Sequence, residues 1–269
     1  MDTQKELAFR YDLIVAPEWR DRFDTLVNDS IEFPVEGRFL DVNCGSGEHA
    51  IELAERLKDK GEVIGVDSSE ELVVLARAKA QIKKETNVTF DKADPAHLSF
   101  PDNDFDVVIG DASTMQVNQI VEVLNEIVRV ARSNGKVILK LTTYGSFDEF
   151  FSIYWEALHD VGIDNSVWGS LERLIKERWT LTDAEQKARR TGLRNVESFS
   201  RKEEFQFESA DEFLKSPLIA DLFLSDWIEI VPQQSRDEIL RQIALIIDRE
   251  RKGTPFEVSI KATVISGTK

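Results

Sequence analysis

Short apolar segments alternate with amphipathic stretches along the first half of the chain. Apolar segments near 38–43, 62–67 and 105–109 are bounded by polar residues and are too short for helices. Segments of this length are typical of buried strands. The stretch from Ile120 to Ala131 instead repeats its apolar residues every three or four positions, as an amphipathic helix does. Strands that alternate with helices predict a parallel sheet with helices on both faces.

The pattern changes after Gly145, where helices dominate. Residues 256–265 alternate apolar and polar side chains, which predicts a half-exposed last strand, more typical of an antiparallel than a parallel neighbour. Further strands are expected at 88–90, at 136–141 and within 193–207, which gives seven predicted strands in all. The second half is expected to contain helices at 147–162, at 169–191 with a break near Thr180 or Thr182, at 210–231 and at 236–251.

These elements divide the chain into four parts. Residues 1–37 form an N-terminal helical segment, 38–145 the core of the sheet, and 146–192 a further helical segment. Residues 193–269 complete the sheet and contain a helical insertion at about 209–252. The insertion is longer than a connection between neighbouring strands needs, so we interpret it as a cap.

Composition limits the classes of partner. The chain has 269 residues, 42% of them hydrophobic, and a formal net charge of −16. This charge argues against nucleic acid or an anionic membrane surface as the main partner. The single cysteine, Cys44, excludes an intramolecular disulfide. The first residues lack the apolar core of a signal peptide and no apolar run approaches a membrane span, so we expect a cytoplasmic protein.

The turn after the first strand carries the most specific motif. Phe39–Leu40 leads into Asp41-Val42-Asn43-Cys44-Gly45-Ser46-Gly47, and a helix follows. Glycine allows the backbone to approach a ligand closely, and the start of a helix presents free N–H groups. The next strand ends at Asp67, an acid that could bind both hydroxyls of a ribose. This order of strand, glycine turn, helix and strand-end acid predicts a site for a nucleotide-like cofactor.

This order of elements and motifs resembles the class I S-adenosylmethionine (SAM)-dependent methyltransferases, most clearly across residues 38–143. The resemblance implies a Rossmann-like α/β fold, with a seven-stranded, mostly parallel sheet whose last strand is antiparallel, and a helical cap. The family's motif has glycine where this chain has Asn43. Asparagine tolerates a positive φ better than other non-glycine residues, so we expect the turn to be kept.

The resemblance also implies roles for individual residues. Asp67 would bind the ribose, Asp94 would face the adenine amino group, and Asp111 would lie beneath the reacting methyl group. Tyr11 would close the site from the N-terminal segment. The full set expected at the cofactor is Tyr11, Asp41, Asn43, Cys44, Gly45, Gly47, Asp67, Ser68, Ala93, Asp94 and Asp111. Simpler interpretations stay open, since Asp94 could be a turn acid before Pro95 and Cys44 could pack as a small apolar residue.

Three residues are candidates for a general base, namely Asp111, Tyr144 and His159. A base is needed only if the acceptor must lose a proton. The three histidines lack the spacing of metal ligands, so we expect no metal site. The segment 142–147 faintly resembles a loop of malonyl-acyl-carrier-protein O-methyltransferases, which leaves that acceptor as a minor alternative.

We therefore expect an enzyme that transfers the methyl group of SAM to an O, N or C atom of a small, apolar or aromatic molecule. The aromatic-rich segments 147–162 and 213–231 favour such an acceptor. Two alternatives remain open. One is an NAD(P)-dependent oxidoreductase on a related sheet, and the other is a non-catalytic protein that binds the cofactor. The sequence indicates no oligomeric state.

Overall fold

The computed structural model describes residues 3–163 and 165–269. Its strands are β1 (Gly37–Val42), β2 (Gly61–Asp67), β3 (Val88–Lys92), β4 (Phe105–Asp111), β5 (Ala131–Thr142), β6 (Arg194–Phe207) and β7 (Phe256–Thr268). Helices in the first half are α1 (Gln4–Arg10), a π-helical stretch (Tyr11–Arg20), α2 (Asp21–Ser30), α3 (Glu48–Leu57), α4 (Glu70–Lys83) and α5 (Val117–Val130). Those in the second half are α6 (Asp148–Val161), α7 (Asn165–Lys176), α8 (Leu181–Arg190), α9 (Ala210–Lys215), α10 (Pro217–Ala220), α11 (Leu224–Glu229) and α12 (Arg236–Glu250).

The strands form one seven-stranded sheet in the order β3-β2-β1-β4-β5-β7-β6. The five strands from β3 to β5 are parallel, with Asp41 of β1 in register between Gly65 of β2 and Ile109 of β4. The last strands are antiparallel. The predicted Rossmann-like α/β fold is confirmed. Because β1 lies between β2 and β4, the chain reverses its direction of winding at the carboxyl end of β1, where ligands bind in open α/β sheets.

Local sequence explains where the helices beside this edge begin. Ser69 caps α4, because its side chain accepts a hydrogen bond from the N–H of Leu72 at 3.3 Å. Gly47 begins α3 in the left-handed conformation, with φ of 88°. A Cβ at Gly47 would lie 2.7 Å from the Cβ of Ala76 and 2.8 Å from the ring of Phe90. Only glycine therefore fits between the two βα units at this point.

Two expectations about the second half are wrong in detail. The helix predicted over 210–231 is three short helices, because Ser216 caps a new helix and Pro217 occupies its first turn. The last strand is not half-exposed. Ser259 and Thr263 are buried together with their apolar neighbours, and hydrogen bonds to Glu149 and Ser200 satisfy their hydroxyl groups.

Contacts divide the chain into two units. Unit 1 comprises Met1–Leu141, Leu181–Ser200 and Ala262–Lys269, and unit 2 comprises Thr142–Thr180 and Arg201–Lys261. The core of unit 2 is aromatic, and the ring of Trp227 stacks on Phe150 at 4.6 Å and on Phe223 at 5.4 Å between centroids. The predicted four-part division, and the placement of a cap over the cofactor site, stay predictions.

A glycine in β2 provides a test of this packing. A Cβ at Gly65 would lie 2.5 Å from the ring of Phe90 and 3.0 Å from Sγ of Cys44. We expect Gly65→Ala to lower the free energy of unfolding by about 1–3 kcal/mol through overpacking. The matched control is Gly169→Ala in α7, where nothing lies within 4 Å of the new methyl group. The control substitution should raise the free energy of unfolding by up to about 1 kcal/mol, because alanine favours a helix more than glycine does. Urea denaturation measures both, and equal effects would contradict the packing described.

Candidate functional site

The turn after β1 adopts the conformation that the sequence predicts. Asn43, Gly45 and Gly47 all have positive φ angles, of 58°, 58° and 88°. Asparagine thus takes the left-handed conformation where the methyltransferases that this turn resembles have glycine. Its side-chain Nδ2 donates a hydrogen bond to the carbonyl of Asp111 at 2.8 Å, which ties the turn to the end of β4.

Asp67 joins the turn to the end of β2. Its Oδ2 accepts a hydrogen bond from the N–H of Gly45 and its Oδ1 accepts one from the N–H of Ser69, both at 2.9 Å. Burial raises the pKa of Asp67, and the two N–H donors oppose that rise. The N–H of Ala93 donates to the Asp67 carbonyl at 3.0 Å. Asp67 therefore joins the glycine turn through its carboxylate and the segment after β3 through its backbone carbonyl.

A buried arginine from the N-terminal segment lies beneath the turn. Arg20 ends the π-helical stretch and is 2% exposed. Its Nη1 donates to the carbonyl of Asn43 at 2.5 Å. The same guanidinium lies 3.4 Å from Oδ2 of Asp41 and 3.3 Å from Oδ2 of Asp111. One side chain from the N-terminal segment thus contacts the ends of β1 and β4.

A buried lysine in β5 completes the charged group. Nζ of Lys140 lies 2.6 Å from Oδ1 of Asp24 and 3.1 Å from Oδ2 of Asp111. Nε of Arg20 lies 3.4 Å from Oδ2 of Asp24. Burial opposes ionisation of both carboxyl groups, but the neighbouring cations, Lys140 foremost, hold the pKa of Asp24 and of Asp111 below the usual range. Arg20, Asp24, Asp41, Asp111 and Lys140 are called the buried charge cluster below.

His49 lies against the buried charge cluster from the first turn of α3. It is 1% exposed, and its Nδ1 is 3.4 Å from Oδ1 of Asp24. Neither ring nitrogen makes a hydrogen bond within the described residues. Burial lowers the pKa of His49, although Asp24 opposes that change. The imidazole is therefore neutral at physiological pH.

Tyr11 lies on the glycine turn. A Cβ at Gly45 would be 3.0 Å from the Tyr11 hydroxyl oxygen and 3.4 Å from Nη1 of Arg20. Burial raises the pKa of Tyr11 well above its usual value, so the hydroxyl stays protonated. The structure therefore places Tyr11 at the glycine turn. Its role in closing the site stays a prediction.

Asp111 is held on both of its oxygens. Oδ1 accepts hydrogen bonds from the N–H and the hydroxyl of Ser113, at 3.0 and 2.6 Å. Oδ2 faces Arg20 and Lys140. The indole N–H of Trp19 donates to Oγ of Ser113 at 3.0 Å, which adds a second link between the N-terminal segment and the end of β4.

Cys44 packs below the turn. It is fully buried, and its Sγ would lie 3.0 Å from a Cβ at Gly65. Burial raises the pKa of the thiol well above its usual value, which opposes formation of a nucleophilic thiolate.

Two of the predicted cofactor residues lie at the surface. The side chain of Asp94 is exposed, and its oxygens accept from the N–H of Ala96 at 2.9 Å and lie 3.0 Å from Nδ1 of His97. The contact between Asp94 and His97 joins two side chains of the same turn. Ser68 is also exposed. The roles of Asp94 and Ser68 at a cofactor stay predictions.

Two of the candidate bases belong to unit 2. Tyr144 is 43% exposed, and its backbone N–H donates to the carbonyl of Trp179 at 2.9 Å. His159 is exposed on α6, with Nδ1 3.5 Å from Oδ1 of Asp160. The catalytic assignments of Asp111, Tyr144 and His159 stay predictions.

The buried charge cluster fits a cationic ligand. It contains three carboxylates and two cations, so its formal charge is −1 with His49 neutral. Oδ1 of Asp41 is buried without a hydrogen-bond partner among the described residues. A buried acceptor without a partner is costly. Asp41 at the end of β1 could therefore accept a donor from a cationic ligand, such as the ammonium of an amino acid group.

Arg20, Asp24 and Lys140 were not among the residues predicted from the sequence. A signal for all three is present in the chain. Lys140 stands within the apolar run Ile138–Leu141, and Arg20 and Asp24 directly follow the large apolar residues Trp19 and Phe23 of the N-terminal segment. Charged residues in apolar strands and stripes are rarely buried unless they are paired.

No group of three or more histidine, cysteine, aspartate or glutamate residues is arranged to hold a metal ion within 3–163 and 165–269. Over the same residues, every helix is too short or too polar to cross a membrane. Neither finding bears on partners outside this chain.

The neutral state of His49 predicts a dependence of stability on pH. Its pKa is lowered in the folded chain, so between pH 7 and pH 5 the unfolded state takes up a proton that the folded state resists. Stability is fully present above the unfolded pKa of about 6.5 and falls below it, by at most about 1.4 kcal/mol per pH unit. We expect His49→Gln to reduce the dependence of the free energy of unfolding on pH, measured by urea denaturation at several pH values. The control, His159→Gln, changes an exposed histidine and should keep the dependence of the native protein. The same dependence in the native protein and both variants would contradict the prediction.

Part of the chain, which includes the glycine turn, matches a known family of domains. Residues 35–160 match the family model described as a methyltransferase domain. A demethylmenaquinone methyltransferase of Shouchella clausii is 33% identical over 116 residues, which cover 43% of this chain and 49% of that protein. A 2-phytyl-1,4-naphtoquinone methyltransferase of Nostoc is 36% identical over 101 residues, 37% of this chain and 44% of that protein. The chain thus spans about half the length of the curated relatives it matches.

Solved structures show the same fold. The YcgJ protein of Bacillus subtilis matches with a TM-score of 0.58 at 20% identity, over 93% of this chain and 98% of that one. Phosphoethanolamine N-methyltransferase 2 of Haemonchus contortus, in complex with SAM, matches with a TM-score of 0.58 at 16% identity, over 99% of this chain and 57% of that one. The sheet order and these matches show that the chain has the fold of these methyltransferase structures and that its residues 35–160 match a methyltransferase domain.

Proposed function

We propose that this chain binds SAM at the carboxyl ends of β1, β2 and β4 and transfers its methyl group to a small apolar acceptor. The observation that carries the proposal is the buried Asp41 oxygen without a hydrogen-bond partner, behind a turn held in the left-handed conformation. SAM carries a positive charge on sulfur and an ammonium group, which suit a site with an excess of carboxylate.

Specific residues would hold the cofactor. Asp41 would accept a hydrogen bond from its ammonium group and Asp67 would accept from the ribose hydroxyls. Gly45 and Gly47 would allow the backbone to approach. Bound SAM supplies an activated methyl group, so the main task of the protein is to position the acceptor against it.

Asp111 would act through its charge rather than as a base. Two cations and two donors from Ser113 hold its pKa below the usual range, and a carboxylate of low pKa takes up protons poorly. We propose that Asp111 keeps Arg20 and Lys140 beneath the cofactor. Tyr144 and His159 remain candidates for proton transfer because both reach solvent.

We further propose that the acceptor is a fused-ring, quinone-like molecule. The curated relatives at 33% and 36% identity are named for demethylmenaquinone and 2-phytyl-1,4-naphtoquinone. A formal charge of −16 disfavours nucleic acid as the acceptor. A cytoplasmic location for this reaction is part of the proposal.

Calorimetry separates the proposal from its alternatives. We expect SAM and its demethylated product to bind the full chain and NAD to give no heat of binding. The opposite pattern would favour an oxidoreductase. A non-catalytic binding protein would take up SAM yet transfer no radiolabelled methyl group to 1,4-dihydroxynaphthalene or related acceptors. An acceptor screen under reducing conditions tests that outcome.

Asp67 provides a test at a single side chain. A hydrogen bond to a carboxylate contributes about 1.5–3 kcal/mol, so Asp67→Ala should weaken SAM binding about tenfold or more. Asp91→Ala is the control, because Asp91 is an exposed acid in neighbouring β3 whose only ion pair among the described residues is with Arg77. It should leave affinity unchanged. Thermal unfolding of each variant shows whether the fold is kept. Unchanged affinity in a folded Asp67→Ala would remove Asp67 from the ribose role.

A further inference from the structure

Two members of the buried charge cluster, Asp24 and Lys140, have no assigned contact with the cofactor. Nζ of Lys140 lies 2.6 Å from Oδ1 of Asp24 and 3.1 Å from Oδ2 of Asp111, and the lysine is fully buried. Taking an ammonium out of water is costly, and an apolar side chain of similar volume would avoid that cost. Packing alone therefore does not account for a lysine at this position of β5.

The buried charge cluster has one more carboxylate than it has cations. Asp24, Asp41 and Asp111 supply the carboxylates, and Arg20 and Lys140 supply the cations. Burial and Arg20 lower the pKa of Lys140, but the carboxylates outweigh both and raise it, so the lysine is a cation at neutral pH. Removing one charged side chain therefore changes the charge of the cluster by one unit.

The charge of the cluster lies close to the glycine turn. The side chains of Arg20, Asp41 and Lys140 are each 3% exposed or less, so water screens them weakly. Asp111 ends β4, and Nη1 of Arg20 donates to the carbonyl of Asn43 within the turn at 2.5 Å. The cluster is thus at the strand ends where we propose that SAM binds.

The cofactor loses one positive charge when it reacts. The electron pair of the acceptor forms the new bond to the methyl carbon, and the pair of the broken C–S bond stays on sulfur. The sulfonium of SAM thereby becomes the neutral thioether of the demethylated product, while the ammonium and carboxylate groups are unchanged. An anionic site therefore stabilises SAM more than it stabilises the product, and a neutral site does not distinguish the two by charge.

We propose that Asp24 and Lys140 set the preference of the site for SAM over its demethylated product by fixing the charge of the buried charge cluster. The inference rests on the proposed function, because it takes the strand ends to hold SAM. Asp24 keeps the cluster anionic, and Lys140 limits the excess to one negative charge. After methyl transfer the product is held less tightly than the SAM that replaces it, which favours exchange of the spent cofactor.

The test is the ratio of two dissociation constants, that of the demethylated product over that of SAM. Calorimetry on the full chain at about pH 8, where His49 is neutral, gives both constants. Lys140→Met makes the cluster more negative and should raise the ratio about five- to tenfold. Asp24→Asn makes the cluster neutral and should lower the ratio by a similar factor. The double variant, Asp24→Asn with Lys140→Met, has the native charge and should restore the native ratio.

Lys136→Met is the matched control, because it removes the same charge from the same strand. Lys136 precedes Lys140 by four positions, about 13 Å along β5, and its Nζ donates to the carbonyl of Glu32 at 2.7 Å. It should keep the native ratio. Both ligands are measured on one sample, so a fraction of unfolded protein removes sites for both. Thermal unfolding shows which variants fold, and Lys140→Gln replaces Lys140→Met if the latter does not.

The proposal would be overturned by one ratio common to the native protein and both single variants, or by the opposite order. A changed ratio in Lys136→Met would also contradict it, because the net charge of the whole chain would then be responsible. A folded native protein that binds neither ligand would refute the proposed function, and this inference with it. If both ligands bind and methyl transfer occurs while the ratio stays constant, only this inference fails.

Discussion

The contact of Arg20 with the carboxylates at the ends of β1 and β4 is the interaction on which the site depends. A guanidinium taken out of water pays a large desolvation cost that only close carboxylates offset. Asp24, Asp41 and Asp111 supply them, from a helix and two strands. Removing one partner of such a group typically costs about 3–5 kcal/mol, because the remaining charges stay buried. The N-terminal segment is therefore fixed to the sheet by charge as well as by packing.

The fold followed from the sequence because its signals are local and agree with one another. The strand that ends at Asp41, the turn to Gly47 and the helix after it each follow from adjacent residues, and the positive φ of Asn43 follows from the chemistry of asparagine. The prediction of one helix over 210–231 was wrong, because the cap formed by Ser216 and the Pro217 that follows it begin a new helix despite the apolar spacing. The burial of β7 on both faces depends on its neighbours in the sheet, which alternation along one strand does not specify.

The site was harder to predict than the fold because its charges come from distant parts of the chain. Sequence motifs identified the acids at the strand ends, but Arg20 and Lys140 belong to no motif. Their pairing is a property of the tertiary structure.

The buried charge cluster also constrains the order in which the protein is made. Asp24 and Lys140, which share a hydrogen bond, are separated by 116 positions along the chain. During synthesis the N-terminal segment leaves the ribosome long before its partner strand β5 exists. Contacts of such long range form late and slow the folding of a domain. Until about half of the chain has been translated, Asp24 lacks its lysine, so the buried charge cluster is completed only after β5 has been made.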